Sequence, residues 1–129
     1  MEQKKILIVD DEKDCVLTLS AELRVAGYKV LSAYDAVGAV MMAVQEKPDL
    51  ILLDIGLPAG SGIVVMKRIA SISVIAATPI IIITASGADD IKKQAFENGA
   101  VGYFQKPYDF DKLLHAIKNT LKENPPTAK

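Results

Sequence analysis

Four apolar or aromatic stretches each end abruptly on a residue able to do chemistry. Ile6-Leu7-Ile8-Val9 runs into Asp10 and Asp11, Leu50-Ile51-Leu52-Leu53 into Asp54, Ile80-Ile81-Ile82-Ile83 into Thr84, and Val101-Gly102-Tyr103-Phe104-Gln105 into Lys106 and Pro107. The three wholly apolar runs read as strands buried on both faces. In an open parallel sheet, ligands bind beyond the carboxyl ends of the strands. Three carboxylates, a hydroxyl and an ammonium would therefore share one rim.

Each residue alone has an ordinary explanation. Asp10-Asp11-Glu12 could cap a helix and favour its dipole, Thr84 could end a strand, and Lys106 could be a solvated charge. The conjunction asks for more, because crowded carboxylates raise one another's pKa unless they share a cation. Mg²⁺ suits such a site: it prefers hard oxygen ligands and is commonly held by one or two carboxylates, waters and a phosphate oxygen. The Asp54 carboxylate could attack phosphorus without a histidine base. Mg²⁺ on one side and Lys106 on the other would neutralise phosphoryl oxygens while the Thr84 hydroxyl donates a hydrogen bond. The chemistry these residues point to is an aspartyl phosphate at Asp54.

Composition narrows the alternatives. The lone histidine, His115, leaves little scope for a Ser/His/Asp triad or for His-based metal ligation, and the lone cysteine, Cys15, cannot form an internal disulfide or a multi-Cys zinc cage. A net charge of -1, from 15 basic and 16 acidic side chains, gives no excess to bind a phosphate backbone, so direct nucleic-acid binding is not expected. No apolar run approaches the ~18 residues of a membrane helix, and Met-Glu-Gln-Lys-Lys followed by four apolar residues and then acids is unlike a signal peptide. A cytoplasmic chain without membrane contact is expected.

The rim residues need elements to position them, and 129 residues suffice for one core. By surface scaling, such a chain buries roughly two thirds of the area its unfolded form exposes. Two more mixed segments, Tyr28-Lys29-Val30-Leu31-Ser32-Ala33 and Val101 to Gln105, suit half-exposed edge strands. Between the strands lie helical stripes: Val16, Leu19, Leu23 and Ala26 up to Gly27, then Val37, Val40, Met41 and Val44 between Asp35 and Pro48. Ser61 or Gly62 opens a third helix around Val65, Met66 and Ile69, Asp89 and Asp90 open a fourth ending at Asn98-Gly99, and Asp109 caps a fifth carrying Phe110, Leu113, Leu114, Ile117 and Leu121. Five βα repeats imply an α/β fold with a parallel, doubly wound sheet. With the most apolar strands central, the flavodoxin-like order 2-1-3-4-5 places the second and fifth at the edges. The apolar stretch Ala70 to Thr78 has no clear assignment as helix or loop.

These motifs, in their order and spacing, resemble the receiver domains of two-component response regulators, of which the chemotaxis regulator is the single-domain example. The resemblance spans Lys4 to Lys122 and rests on Ile6 to Glu12, Leu52-Leu53-Asp54-Ile55-Gly56-Leu57-Pro58, Ile83-Thr84-Ala85, and Tyr103-Phe104-Gln105-Lys106-Pro107. It implies a phosphoacceptor at Asp54, with Asp10, Asp11, Asp54 and the Gly56 backbone carbonyl around Mg²⁺, and with Thr84 and Lys106 on the phosphoryl oxygens. It also implies a cis Lys106-Pro107 bond and a phosphohistidine donor on a sensor histidine kinase or histidine phosphotransfer protein, a donor role for which His115 is no candidate. Tyr103 matches the family's switch aromatic. Thr84 is expected to move toward the phosphoryl group, with the Tyr103 ring turning into the vacated space and reshaping the face of the fourth helix, fifth strand and fifth helix, where a downstream protein partner binds. The chain is expected to be a monomer or a phosphorylation-dependent dimer.

Gly56 departs from the sizeable side chain that family members often carry there, and Ala59-Gly60-Ser61-Gly62 replaces the commoner Gly-Met-Asp-Gly type of loop. A glycine at 56 cannot shield a phosphoryl group or orient water. Ser86 adds a small polar neighbour two residues past Thr84. Two rival classes fit less well. A Mg²⁺-dependent aspartyl phosphatase typically uses a second Asp two residues after its nucleophile, where Gly56 stands. A flavin or nucleotide module would need a P-loop or dinucleotide fingerprint, and Gly60-Ser61-Gly62-Ile63-Val64-Val65 lacks the third glycine and does not follow a strand directly. A pseudo-receiver that never accepts phosphate is the quieter alternative. The expected receiver occupies residues 1–123, followed by a linker stub or disordered tail over 124–129. Met1, a few residues before the first strand, disfavours a receiver cut from the C-terminal end of a hybrid kinase.

Overall fold

The computed structural model describes residues 3–57 and 61–123, the Ser61 side chain excepted. The expected tail over 124–129, and Ala59 and Gly60 of the glycine-rich loop, lie outside the described residues. Strands β1 (Lys5–Val9), β2 (Lys29–Ala33), β3 (Leu50–Leu53), β4 (Ile80–Thr84) and β5 (Gly102–Gln105) alternate with helices α1 (Lys13–Val25), α2 (Ala36–Glu46), α3 (Ser61–Ser71), α4 (Asp89–Glu97) and α5 (Phe110–Thr120). The strands pair in parallel in the order β2-β1-β3-β4-β5, as the distribution of apolar residues requires. Central β1, β3 and β4 are almost wholly buried, whereas β2 and β5 are half-exposed edges.

Period-two alternation sends neighbouring strand residues into different cores. Leu7, Val9, Ile51, Leu53 and Ile82 pack beneath α2, α3 and α4 with Ala39, Ala43, Met66, Ile69 and Ala95. Ile6, Ile8, Leu50, Leu52, Ile81 and Ile83 pack beneath α1 and α5 with Leu19, Leu23, Leu113 and Ile117. This is why runs such as Ile80–Ile83 are apolar throughout. Each face of the sheet has a helical layer to bury against.

Local chemistry ends the helices. Gly27 follows α1 at φ +103, a conformation open to glycine, and its N–H bonds the Arg24 carbonyl at 3.0 Å. Asp35 caps α2 through Gly38 N–H at 2.7 Å, and Asp109 caps α5 through Asp111 and Lys112. The stretch Ala70 to Thr78 is largely not helix: α3 stops at Ser71 and successive turns follow, Ile75 N–H bonding Ile72 O and Thr78 N–H bonding Ile75 O. Its apolarity is explained by Ile75, which is buried in the α2/α3/α4 core with Ile72 packed against it. Tyr28 and Val101 precede β2 and β5 instead of beginning them. Tyr28 is instead a buried anchor whose hydroxyl donates to Glu123 at 2.7 Å.

Candidate functional site

Sheet register brings the strand ends level. Asp54 N–H bonds the Val9 carbonyl at 2.8 Å, Asp10 N–H bonds Ala33 O at 3.1 Å, and Lys106 N–H bonds Thr84 O at 2.8 Å, so the rim residues are fixed by the backbone ladder itself. Asp10, Asp54 and Thr84 are buried there, at 6, 8 and 1 % exposure, unusual depths for polar side chains. Lys106 and Pro107 are joined by a cis peptide bond.

The Lys106 ammonium sits among three carboxylates: Asp10 Oδ2 at 2.7 Å, Glu12 Oε1 at 3.0 Å and Asp54 Oδ2 at 3.2 Å. Burial alone would push the Lys106 ammonium down, but the hydrogen bonds it donates to Asp10 and Glu12, with the charge of Asp54, hold it above the usual lysine range. Burial also dominates at Asp10, raising its carboxyl above the usual aspartate value despite Lys106 and the Glu12 N–H. The other oxygens are oriented by backbone: Glu12 N–H donates to Asp10 Oδ1 at 2.9 Å and Gly56 N–H to Asp54 Oδ1 at 2.8 Å.

Carboxylate oxygens of Asp10, Asp11 and Asp54 lie within 4.8 Å of one another, with Asp11 exposed at the mouth. Such a set of hard oxygen donors, with one ammonium beside it, fits Mg²⁺. Gly56 meets Asp54 through its amide N–H. A Cβ at residue 56 would lie 3.1 Å from Asp54 Oδ1 and 3.5 Å from Thr84 Oγ1, which puts this glycine against both side chains.

Thr84 and Tyr103 meet through a single residue. The Ser86 N–H approaches Thr84 Oγ1 at 3.5 Å, and the Ser86 carbonyl accepts from the Tyr103 hydroxyl at 2.8 Å. The half-buried Tyr103 ring also faces Phe96, centroids 6.4 Å apart, and the Lys92 ammonium at 5.8 Å. His115 is exposed on α5 and is not among the site's contacts.

Two contributors leave little signal in the sequence. Glu12 reads in sequence only as one of the acids of its motif, yet it is a direct partner of Lys106; its place at the N-cap of α1 is the available signal. Gly62 suggests only a helix start in sequence, but a Cβ there would fall 2.5 Å from Ile55 Cα, so α3 can approach the strand end after Asp54 only with glycine at this position.

Comparisons with known proteins agree with this geometry. The family model for the response regulator receiver domain matches residues 6–118. The chain is 40 % identical over 123 residues to the phosphate regulon transcriptional regulatory protein PhoB of Pseudomonas aeruginosa, covering 95 % of this chain and 54 % of that protein. It is 36 % identical over 121 residues to the sporulation initiation phosphotransferase F of Bacillus subtilis, covering 94 % of this chain and 96 % of the relative. The chain thus spans about half the length of several curated relatives and nearly all of another. The receiver domain of a sensor histidine kinase from Pseudomonas aeruginosa, solved with a magnesium ion coordinated in its active-site cleft, superposes with a TM-score of 0.86 at 26 % identity, covering 95 % of this chain and 100 % of that one. Among the described residues, no helix is long and apolar enough to cross a membrane. With fold, rim geometry and relatives in agreement, the chain belongs to the response regulator receiver domain family of two-component systems.

Proposed function

We propose that this receiver domain is a cytoplasmic phosphorylation-dependent switch that accepts a phosphoryl group on Asp54 from a phosphohistidine of a sensor histidine kinase or histidine phosphotransfer protein. The observation that carries this reading is the Lys106 ammonium held 3.2 Å from Asp54 within the cluster formed with Asp10 and Glu12. In transfer, an Asp54 carboxylate oxygen forms a bond to phosphorus while the P–N bond breaks and its electron pair leaves with the donor imidazole. Asp10, Asp11 and Asp54 would hold Mg²⁺, with the Gly56 carbonyl as a further ligand, and the ion supplies positive charge to the phosphoryl oxygens when bound. Lys106 supplies the opposing charge, and Thr84 donates its hydroxyl proton to a phosphoryl oxygen. A groove beside Lys106, lined by Glu12, Cys15, Thr18, Glu22, Pro107 and Tyr108, leaves a donor side chain a path to the rim.

The signal then passes from Thr84 to Tyr103. A new group of roughly -1.5 to -2 charge draws the Thr84 hydroxyl, and Ser86, whose N–H approaches Thr84 Oγ1 and whose carbonyl accepts from Tyr103, transmits the shift to the ring. The face of α4, β5 and α5 changes for a downstream protein partner. Incubation with a small-molecule phosphodonor and Mg²⁺, followed by intact mass, tests the reading. Wild type gains one phosphoryl group and Asp54→Asn gains none; equal gain in both relocates the acceptor.

A further inference from the structure

The Lys106 ammonium is shared unequally by carboxylates of different kinds. Asp10 and Asp54 are nearly enclosed, with side chains 8 and 10 % exposed, whereas the Glu12 side chain is 62 % exposed. Glu12 stands at the N-cap of α1 yet makes no side-chain cap hydrogen bond; its carboxylate turns to Lys106 while its own N–H holds Asp10 Oδ1. The residue therefore touches both the acid that would bind a divalent cation and the ammonium that must remain beside it.

Those two duties conflict at Asp10. A divalent cation drawn to Asp10, Asp11 and Asp54 competes with the ammonium for the Asp10 and Asp54 carboxylates and repels it across a short distance. Of the three carboxylates on Lys106, only Glu12 lies outside that trio. Glu12 does group with Asp10 and Cys15, but a thiol is a poor partner for a hard ion.

We propose that Glu12 is a positioning residue for Lys106, the carboxylate that keeps the ammonium at the mouth of the site when a divalent cation is held by Asp10 and Asp54. This rests on the phosphoacceptor reading above. Without Glu12, a cation that displaces Lys106 leaves it loose in solvent; with Glu12, the ammonium pivots about an anchor and stays within reach of an incoming phosphoryl oxygen.

Labelling of the Lys106 amine by an acylating reagent, read by peptide mass with and without Mg²⁺, tests the assignment. Without Mg²⁺, Glu12→Gln is expected to label within about twofold of wild type, because Asp10 and Asp54 still hold the lysine; with saturating Mg²⁺ it labels about fivefold faster, the factor an exposed ion pair near the top of its usual range supplies. Equal labelling of the two Mg²⁺-loaded proteins overturns the proposal. So does a Glu12→Gln loss of Mg²⁺ affinity that is as large in a Lys106→Met background as with Lys106 present, since Glu12 would then act on the metal directly. Phosphodonor treatment of the same wild-type sample separates the two readings: a phosphoryl group on Asp54 with unchanged labelling removes only the role of Glu12, and none on Asp54 removes both.

Discussion

Lys106 Nζ and Asp54 Oδ2 lie 3.2 Å apart although 52 positions separate them along the chain, the ends of β5 and β3 being brought together across β4. The contact puts a cation on the proposed phosphoacceptor before any phosphoryl group arrives. It also makes the lysine the principal counter-charge for the acids at the rim.

Removing that charge exposes the repulsion it masks. Lys106→Met is expected to destabilise the Mg²⁺-free protein by about 1–3 kcal/mol, because buried Asp10 and Asp54 lose their charged partner. Mg²⁺ should then raise the melting temperature of the variant by more than that of wild type. Thermal unfolding with Mg²⁺ and with EDTA measures both; an identical Mg²⁺ effect in the two proteins contradicts the shared-counter-charge role.

Gly56 leaves the pocket roofless. Since a Cβ there approaches both Asp54 Oδ1 and Thr84 Oγ1, Gly56→Met is expected to lengthen the lifetime of the Asp54 phosphoryl group several-fold by covering it, at the cost of a small displacement of the carboxylate. Phosphate release after removal of the donor gives the rate. A lifetime equal to or shorter than wild type contradicts the shielding role.

Two tyrosine–carboxylate straps tie the layer of α1 and α5 together, Tyr28 to Glu123 and Tyr108 to Glu22 at 2.7 and 2.9 Å. Each replacement by Phe is expected to cost about 0.5–1.5 kcal/mol. Burial first, then the carboxylate partner, pushes both phenols above the ordinary value of 10.0. An acid whose folded pKa is raised in this way contributes in full below about pH 10 and loses that contribution as pH climbs toward the folded value. The stability gap between wild type and Tyr28→Phe/Tyr108→Phe should therefore narrow above pH 10 in urea unfolding; a gap that widens reverses the sign.

Gly62 is the packing partner of the Asp54 loop. Gly62→Ala forces a Cβ into the Ile55 backbone and is expected to cost about 1–3 kcal/mol while slowing phosphorylation. Urea midpoints and phosphorylation rates provide the check, and a variant as stable and as fast as wild type shows that α3 can retreat without consequence.

Much of this architecture was legible because burial on both faces leaves an unmistakable mark: Ile80–Ile83 could only be a central strand, and the residue after each such run had to lie at the rim. Asp54, Asp10 and Lys106 were readable for that reason. Glu12 was not, since an exposed acid at a helix start looks the same whether it caps the helix or holds a lysine from the far edge of the sheet. Gly62 was hidden because close approach is a property of two backbones, and Ile75 because a buried residue in successive turns has no period to betray it. Tyr28 passed for an edge-strand aromatic until its hydroxyl met Glu123, 95 positions away.

Borohydride trapping tests the central claim most directly. Reduction of an acyl phosphate converts aspartate to homoserine, so the phosphodonor-treated protein is reduced, digested and sequenced by mass spectrometry. Homoserine at position 54, dependent on Mg²⁺ and strongly diminished in Lys106→Met, is the expected result. Homoserine at another aspartate, or none in a protein that nevertheless gained phosphate, contradicts an aspartyl phosphate built on Asp54.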